Sequence, residues 1–246
     1  MTNYRVFDGH CDTPIELWLQ NQPLLENTLA VSLARAQRLG TWAQFFAFCT
    51  AWVEAKLPRP EIFARALDYF DAQLRENADK ITLCRTASEA EAAMQYRSMA
   101  AAAQADGVSL TLVAGYQDAD TRQDAYEARV QTYRDKRKSE EEAARLAATI
   151  QPAANANEHG TGYAADILSA DDPQQDTSFA ETRAYEWLTA YAAEYGFILR
   201  YPQDRQTATG IVFEPWHWRY VGVENALAIR ASGLSLEEFI ALQRAD

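Results

Sequence analysis

The chain has 246 residues, of which 48% are hydrophobic and 24% charged, which is enough for one large domain or two small ones. Its 35 acidic and 23 basic side chains give a formal net charge of −12, which argues against nucleic-acid or anionic-membrane partners because both require a basic face. No apolar run is long enough for a membrane span and no export signal opens the sequence, so a cytoplasmic protein is expected.

The first third of the chain alternates between β-prone and helical patterns. The β-prone runs are 4–7 and 81–84, and between them the aromatic segment 42–53 is suited to a buried strand with an irregular exit. Apolar residues at helical spacing predict a helix over 61–78. This order is typical of a parallel α/β sheet, whose apolar segment 42–53 must be covered by the C-terminal part, by a second copy of the chain, or by a different fold.

After residue 85 the pattern changes to helices placed around short strands. A serine followed by glutamate three residues later marks a helix start, and this pattern occurs at Ser88, Ser139, Ser178 and Ser235. A charged helix is predicted over 121–136. The β-prone runs in this part are 108–114, 163–167, 197–201, 210–213 and 216–221. The second part is therefore predicted to be α+β, with helices packed on a small, mostly antiparallel sheet.

Two short stretches concentrate side chains that can bind a metal. In NEHGTGYAAD, His159 precedes Asp166 by seven residues, and in EPWHWR, Glu214 precedes His217 by three. Imidazole and carboxylate are common zinc ligands, and a catalytic zinc has three protein ligands and one open position. The pattern therefore favours His159, Asp166 and His217 as ligands, with Glu214 as the general base. Either histidine taken alone would more often be a structural loop residue.

The spacing of the second stretch requires a turn. Residues three apart on a regular strand point to opposite faces, so Glu214 and His217 share a cleft only if the chain bends between them. Pro215 supplies that bend, since its φ is fixed and it has no backbone N–H. The neighbouring Trp216 has two interpretations, a substrate contact and an ordinary packing residue.

Over residues 94–236 the sequence resembles the VanY-like D-alanyl-D-alanine carboxypeptidases. These belong to the LAS group of zinc metallopeptidases, which includes D-Ala-D-Ala dipeptidases and hedgehog-like domains. The family pattern SxHxxGxAxD is met by NEHGTGYAAD, with Asn157 in place of serine, and the pattern ExxHxR is met by EPWHWR, which ends in Arg219. The segments MAAAAQADGVSLTLVAGY and GFILRYP also follow the family.

The resemblance implies a LAS-type fold and one Zn²⁺ per chain, bound by His159, Asp166 and His217, with Glu214 as the catalytic base. It implies hydrolysis at the D-Ala terminus of peptidoglycan peptides, and hence the cell envelope as an alternative location. The substrate-binding residues that it implies are Gln117, Gln123, Asn157, Trp216 and Arg219.

One departure from the family concerns substrate binding. The family motif SGYRS reads AGYQD here, so Gln117 stands where an arginine is expected. A neutral amide cannot replace a bidentate, permanently charged guanidinium, although Arg122 lies close in sequence and could compensate. Together with Asn157, this replacement favours an alternative function, a catalytically weakened zinc-containing module that binds cell-wall peptides.

Residues 4–93 resemble the N-terminal part of the membrane dipeptidases, a binuclear-zinc barrel family. In FDGHCDTPIELW, His10 and Asp12 match the HxD pattern of its first metal ligands. A complete barrel needs about 250 residues, and the remaining two histidines are already assigned, so a dipeptidase of this type is the least favoured function. His10 and Asp12 are then structural relics, a weak two-ligand site, or helpers of the other zinc.

The predicted domains are 1–93, an α/β barrel-like fragment, and 94–246, the peptidase domain.

Overall fold

The computed structural model describes residues 5–54, 56–153 and 156–244, and the chain divides into two compact units, Met1–Arg85 and Thr86–Asp246. Residues 93 and 94, where the sequence places a domain boundary, lie inside a helix, α4 (Ala87–Ala105). The assignment of the two parts to separate domains with separate origins stays a prediction.

The N-terminal unit contains a pair of parallel strands joined through helices. Strand β1 (Arg5–Cys11) pairs with β2 (Thr41–Phe46), and helices α1 (Thr13–Gln20) and α2 (Leu33–Ala36) lie between them in sequence. Helix α3 (Arg59–Glu76) confirms the helix predicted over 61–78. The core of the unit is formed by Leu17, Leu24, Leu33 and Phe70.

Of two strand predictions in this unit, one is confirmed with a strand shorter than its segment, and the other is wrong. The segment 42–53 is a strand only as far as Phe46, because its partner β1 ends at Cys11 and α1 begins at Thr13, so no neighbour remains for further pairing. Residues 81–84 form no strand, since Ile81 packs on the apolar core while Leu83 is exposed. Tyr4 lies outside the described residues. With two strands in its described part, this unit does not confirm a barrel-like fragment.

The C-terminal unit contains a four-stranded antiparallel sheet in the order β3-β4-β6-β5. Its strands are β3 (Leu110–Ala114), β4 (Ala164–Ser169), β5 (Phe197–Leu199) and β6 (His217–Tyr220). All six residues of β4 are buried, which places this strand at the centre of the core. The predicted α+β class and antiparallel sheet are confirmed, but the β-prone run 210–213 forms no strand.

The remaining helices surround this sheet. They are α5 (Ala119–Asp135), α6 (Glu140–Ala148), α7 (Arg183–Tyr191), α8 (Gln206–Thr209), α9 (Val223–Ser232) and α10 (Leu236–Gln243). The main core lies between the sheet and helices α4 and α7, and includes Met99, Ile167, Leu188 and Trp218. Helices α5 and α6 pack against each other in a second cluster, and α9 packs against β5 in a third. Among the described residues, no helix has the length and apolar character needed to cross a membrane.

Two of the four predicted helix starts are confirmed. Ser139 and Ser235 cap α6 and α10, and Ser235 forms a full capping box with Glu238. The predicted starts at Ser88 and Ser178 are wrong. Thr86 caps α4, while Ser178 lies in a short 3-10 helix (Thr177–Glu181) capped by Asp176, and α7 begins only after Thr182.

Candidate metal centre

His159 is fixed in the structure by its backbone and by one ring nitrogen. It lies in a 3-10 helix (Glu158–Thr161), where its backbone N–H donates to Oδ1 of Asn157 at 2.9 Å. Its Nδ1 lies 2.7 Å from the carbonyl oxygen of Gly115. Because a carbonyl oxygen only accepts, Nδ1 carries the proton and Nε2 presents its lone pair, as expected for a metal ligand.

Sheet pairing brings the second and third predicted ligands together. Asp166 on β4 lies directly opposite His217 on β6 in the antiparallel register. Oδ1 of Asp166 is 3.1 Å from Nδ1 of His217 and 3.4 Å from Nε2 of His159. The other oxygen, Oδ2, accepts a hydrogen bond from Gln175 at 3.0 Å, which orients the carboxylate.

Glu214 reaches the same pocket through a turn. The backbone N–H of His217 donates to the carbonyl oxygen of Glu214 at 3.1 Å, closing a turn that contains Pro215. Oε2 of Glu214 lies 3.7 Å from Nδ1 of His217, and the Glu214 side chain is buried. The bend predicted from the position of Pro215 is therefore present.

The donor set of His159, Asp166 and His217 fits a single metal ion. One ligand atom from each residue lies within 4.8 Å of the others, and all three residues are buried. Oδ1 of Asp166 is buried and has no hydrogen-bond partner among the described residues, so a polar atom at the centre of the cluster is unsatisfied. Two imidazoles and one carboxylate are the N/O ligands that zinc takes in catalytic sites.

Burial and charge separate the pKa values of the two carboxyl groups in the pocket. Burial acts to raise the pKa of Asp166, but His159 and His217 outweigh it, and the pKa is lowered. Burial raises the pKa of Glu214 to about 7; Asp166 adds to the rise, while His217 and Arg122 oppose it. Asp166 is thus held as an anion, and Glu214 is in the range suited to proton transfer near neutral pH.

A charged network behind His217 was not predicted from the sequence. Nε2 of His217 faces Oε2 of Glu158 at 3.7 Å, and Oε1 of Glu158 accepts from Nε of Arg200 at 2.8 Å. The guanidinium of Arg200 also binds both carboxylate oxygens of Glu237 on α10, at 2.5 and 3.1 Å. Glu158 lies in the motif that contains His159 and Arg200 lies in GFILRYP, but neither pattern indicates that they meet.

Three of the five predicted substrate-binding residues lie beside His159, and the other two have different contacts. The backbone N–H of Gln117 donates to the carbonyl oxygen of His159 at 3.2 Å, and Nη1 of Arg219 donates to Thr161 at 3.1 Å. Gln123 donates to Glu127 one helical turn away, and the partly buried Trp216 packs against the main core. Gln117, Asn157 and Arg219 therefore adjoin the 3-10 helix of His159, and a substrate-binding role for these residues, Gln123 and Trp216 stays a prediction.

His10 and Asp12 belong to the N-terminal unit. Nε2 of His10 lies 3.2 Å from Oδ2 of Asp12, and their side chains are 67% and 36% exposed. Neither joins a metal-binding cluster of three or more side chains among the described residues. A metal-binding or helper role for this pair stays a prediction.

An antiparallel sheet carrying a buried His–Asp–His cluster beside a glutamate has the layout of a mononuclear metallohydrolase. The sequence profile of the VanY family, described as D-alanyl-D-alanine carboxypeptidase, matches residues 85–223. The chain belongs to this family.

Relatives agree with this assignment. A D-alanyl-D-alanine carboxypeptidase of Enterococcus faecalis is 37% identical over 139 residues, which cover 56% of this chain and 50% of the relative. The chain spans about half the length of the curated relatives it matches. The resemblance of residues 4–93 to membrane dipeptidases receives no support from these comparisons.

Two solved structures share the fold. A mutant of the vancomycin-resistance D,D-pentapeptidase VanY, in complex with Zn(II), is 33% identical, with a TM-score of 0.55 over 61% of this chain and 81% of that one. VanYB in complex with D-alanine-D-alanine is also 33% identical, with a TM-score of 0.56 over 61% of this chain and 80% of that one.

Proposed function

We propose that this protein is a zinc-dependent D-alanyl-D-alanine carboxypeptidase or dipeptidase, which hydrolyses a peptide bond at the D-amino-acid terminus of peptidoglycan peptides. The observation that carries the proposal is the buried cluster of His159, Asp166 and His217, with Glu214 3.7 Å from His217. Zn(II) in one VanY neighbour and D-alanine-D-alanine in another support the choice of metal and substrate class.

In this proposal His159, Asp166 and His217 hold one Zn²⁺. When bound, the ion supplies Lewis-acid chemistry: it acidifies a water and polarises a carbonyl group beside it. Glu214 takes the proton from the attacking water and passes it to the leaving amine, a role that its position beside His217 and its burial support. Gly115 and Glu158 orient the two imidazoles through the ring nitrogens that face away from Asp166.

The test uses the purified chain, zinc and a peptide ending in D-Ala-D-Ala. We expect release of D-Ala, or of the dipeptide, which EDTA abolishes and zinc restores. Glu214→Gln should bind zinc at the same stoichiometry and lose about 10²-fold or more in turnover, since it removes the proton acceptor. Glu181→Gln, an exposed charge-matched control, should leave turnover unchanged. Turnover retained in Glu214→Gln would remove Glu214 from the base role, and absence of bound zinc would reject the proposal.

A second candidate function is a zinc-containing module that binds cell-wall peptides without cleaving them. The replacement of the family arginine and serine by Gln117 and Asn157 favours it. The position of Asn157 weighs against it, because its side chain still supports the His159 turn. The same assay separates the two functions: peptide binding by calorimetry without product release supports the module.

Two further parts of the proposal concern the cellular context. We predict that the protein acts either in the cytoplasm or at the cell envelope, and fractionation of cells that express the tagged chain distinguishes these locations. A homodimer that covers the apolar N-terminal segment also stays a prediction, which light scattering of the purified chain checks.

A further inference from the structure

Arg122 is a buried cation that the proposed mechanism does not use. It lies in the first turn of α5 and is 9% exposed. Its Nη1 donates to Oε1 of Gln117 at 2.5 Å. Its Nε is buried and has no hydrogen-bond partner among the residues that the structure describes. A buried guanidinium with an unsatisfied N–H is costly unless a ligand completes its hydrogen bonds.

Gln117 connects this guanidinium to the metal cluster. The backbone of Gln117 is hydrogen-bonded to the backbone of His159 at 3.2 Å, two residues after Gly115, whose carbonyl oxygen contacts the His159 ring. Arg122 is also close enough for its charge to interact with Asp166 and Glu214. The positive charge of Arg122 is therefore held beside the predicted ligands and base.

Two other arginines near the cluster already have anionic neighbours. Arg200 is ion-paired with Glu158 and Glu237, and Nη1 of Arg219 lies 3.6 Å from Glu158. Within the described part of the chain, no carboxylate lies within 4.0 Å of the Arg122 guanidinium. Arg122 thus interacts with the carboxylates of this site at a distance, but has no direct ion pair among the described residues.

We propose that Arg122 binds the free α-carboxylate of the peptide substrate and that Gln117 positions it. This inference rests on the proposed peptidase function. Because Gln117 occupies Nη1, the edge formed by Nε and Nη2 is the one left for a bidentate contact with a carboxylate. The cation that the family motif places at position 117 is then supplied five residues later, on α5, and Gln117 serves as its hydrogen-bond acceptor.

The experiment compares two peptides that differ only at the C-terminus, one with a free D-Ala carboxylate and one with a D-Ala amide. We expect the unmodified protein to prefer the free acid. Losing a charge-assisted contact in Arg122→Gln should raise KM for the free acid about 10- to 100-fold, with little change for the amide. The ratio of kcat/KM values for acid over amide should therefore fall towards one. Zinc content should be unchanged.

A matched control and a rescue variant make the test specific. Arg129 lies two turns further along α5, and its charge also acts on Glu214. Arg129→Gln should keep the preference for the free acid if Arg122 is the receptor. The double variant Gln117→Arg/Arg122→Gln moves the cation back to position 117 and should restore the preference. Binding of the free-acid peptide to the Glu214→Gln protein, measured by calorimetry, should weaken when Arg122→Gln is added.

Several outcomes would overturn the inference. One is an unchanged acid-to-amide ratio in Arg122→Gln, and another is loss of the ratio in Arg129→Gln alone. If Arg122→Gln does not fold, the double variant decides, because failure to recover the preference in a folded, zinc-loaded double variant rejects the role. If the unmodified chain hydrolyses neither peptide and binds no zinc, it is the proposed function that fails.

Discussion

At the residue scale, the two imidazoles of the cluster are oriented by different partners. The His159 ring donates to the backbone carbonyl of Gly115 at 2.7 Å, whereas the His217 ring faces the carboxylate of Glu158 at 3.7 Å. A backbone carbonyl is fixed by the fold and cannot be removed by substitution, but a carboxylate can. The contribution of such an outer partner is therefore open to measurement at His217.

We expect Glu158→Gln to lower zinc affinity by about 10- to 100-fold, because it removes the charge that orients and polarises the His217 ring. Competition with a chromophoric zinc chelator measures the affinity. Glu224→Gln, an exposed charge-matched substitution on α9, should change it by less than about twofold, since surface charges are screened. Equal affinities in Glu158→Gln and the unmodified protein would show that His217 needs no carboxylate partner.

The sequence predicted which side chains meet in the cluster but not which residues surround them. His159, Asp166, His217 and Glu214 carry their signal in residue type and spacing, and the turn at Pro215 follows from local backbone rules. Gln175 contacts Asp166 from a loop whose sequence has no metal-site pattern. Contacts of this kind depend on the tertiary fold, so local sequence alone does not predict them.

At the element scale, the helix ends also show that local sequence patterns predict only part of the structure. Ser–x–x–Glu pairs predicted two starts correctly and two incorrectly, because Thr86 and Asp176 take the capping positions two residues before Ser88 and Ser178. Helix α9 was not predicted at all, since it lies directly after a β-prone run and its buried residues, Ala226 and Ile229, give little periodic signal. The helix is stabilised by tertiary contacts, because Ala226 and Ile229 pack against Ala193 and Ile198.

Helix α10 lies beyond the segment that matches the family, yet it contacts the network behind the metal site. Glu237 binds Arg200, which is buried, so Glu237→Gln leaves part of that guanidinium without its anion. We expect a loss of about 1–2 kcal/mol in the free energy of unfolding, less than for a fully buried pair, because the Glu237 side chain is 37% exposed. Urea denaturation measures it.

The control for this prediction is Glu224→Gln, which removes an exposed charge from the neighbouring helix α9 and should cost less than about 0.5 kcal/mol. If Glu237→Gln has no larger effect than this control, the contact with Arg200 does not stabilise the fold. The zinc affinity of Glu237→Gln should also be measured. An unchanged affinity would mean that the effect is local to α10, and a lowered affinity would mean that it reaches His217 through Glu158.

At the scale of the whole molecule, the family match and the C-terminal unit begin at nearly the same residue. The family profile begins at residue 85 and the C-terminal unit at Thr86, where Thr86 caps the first helix of that unit. The N-terminal unit has its own small core, while Phe7 and Phe45 contact each other on its surface, 71% and 62% exposed. The sequence correctly indicated parallel strands here but overestimated their number, since strand pairing depends on partners that local composition does not specify.

This division predicts that residues 86–246 fold without the first 85. They contain a continuous core around β4 and the cluster of His159, Asp166 and His217, so we expect one cooperative thermal transition by circular dichroism. Zinc at about 100 times its Kd should add about 2.7 kcal/mol to the stability of the fragment, as in the whole chain, because only the folded site binds the ion. The variant His159→Ala in the fragment should abolish this gain. If the whole chain gains stability from zinc but the fragment does not, or if the fragment unfolds without cooperativity, the N-terminal unit is required to build the site.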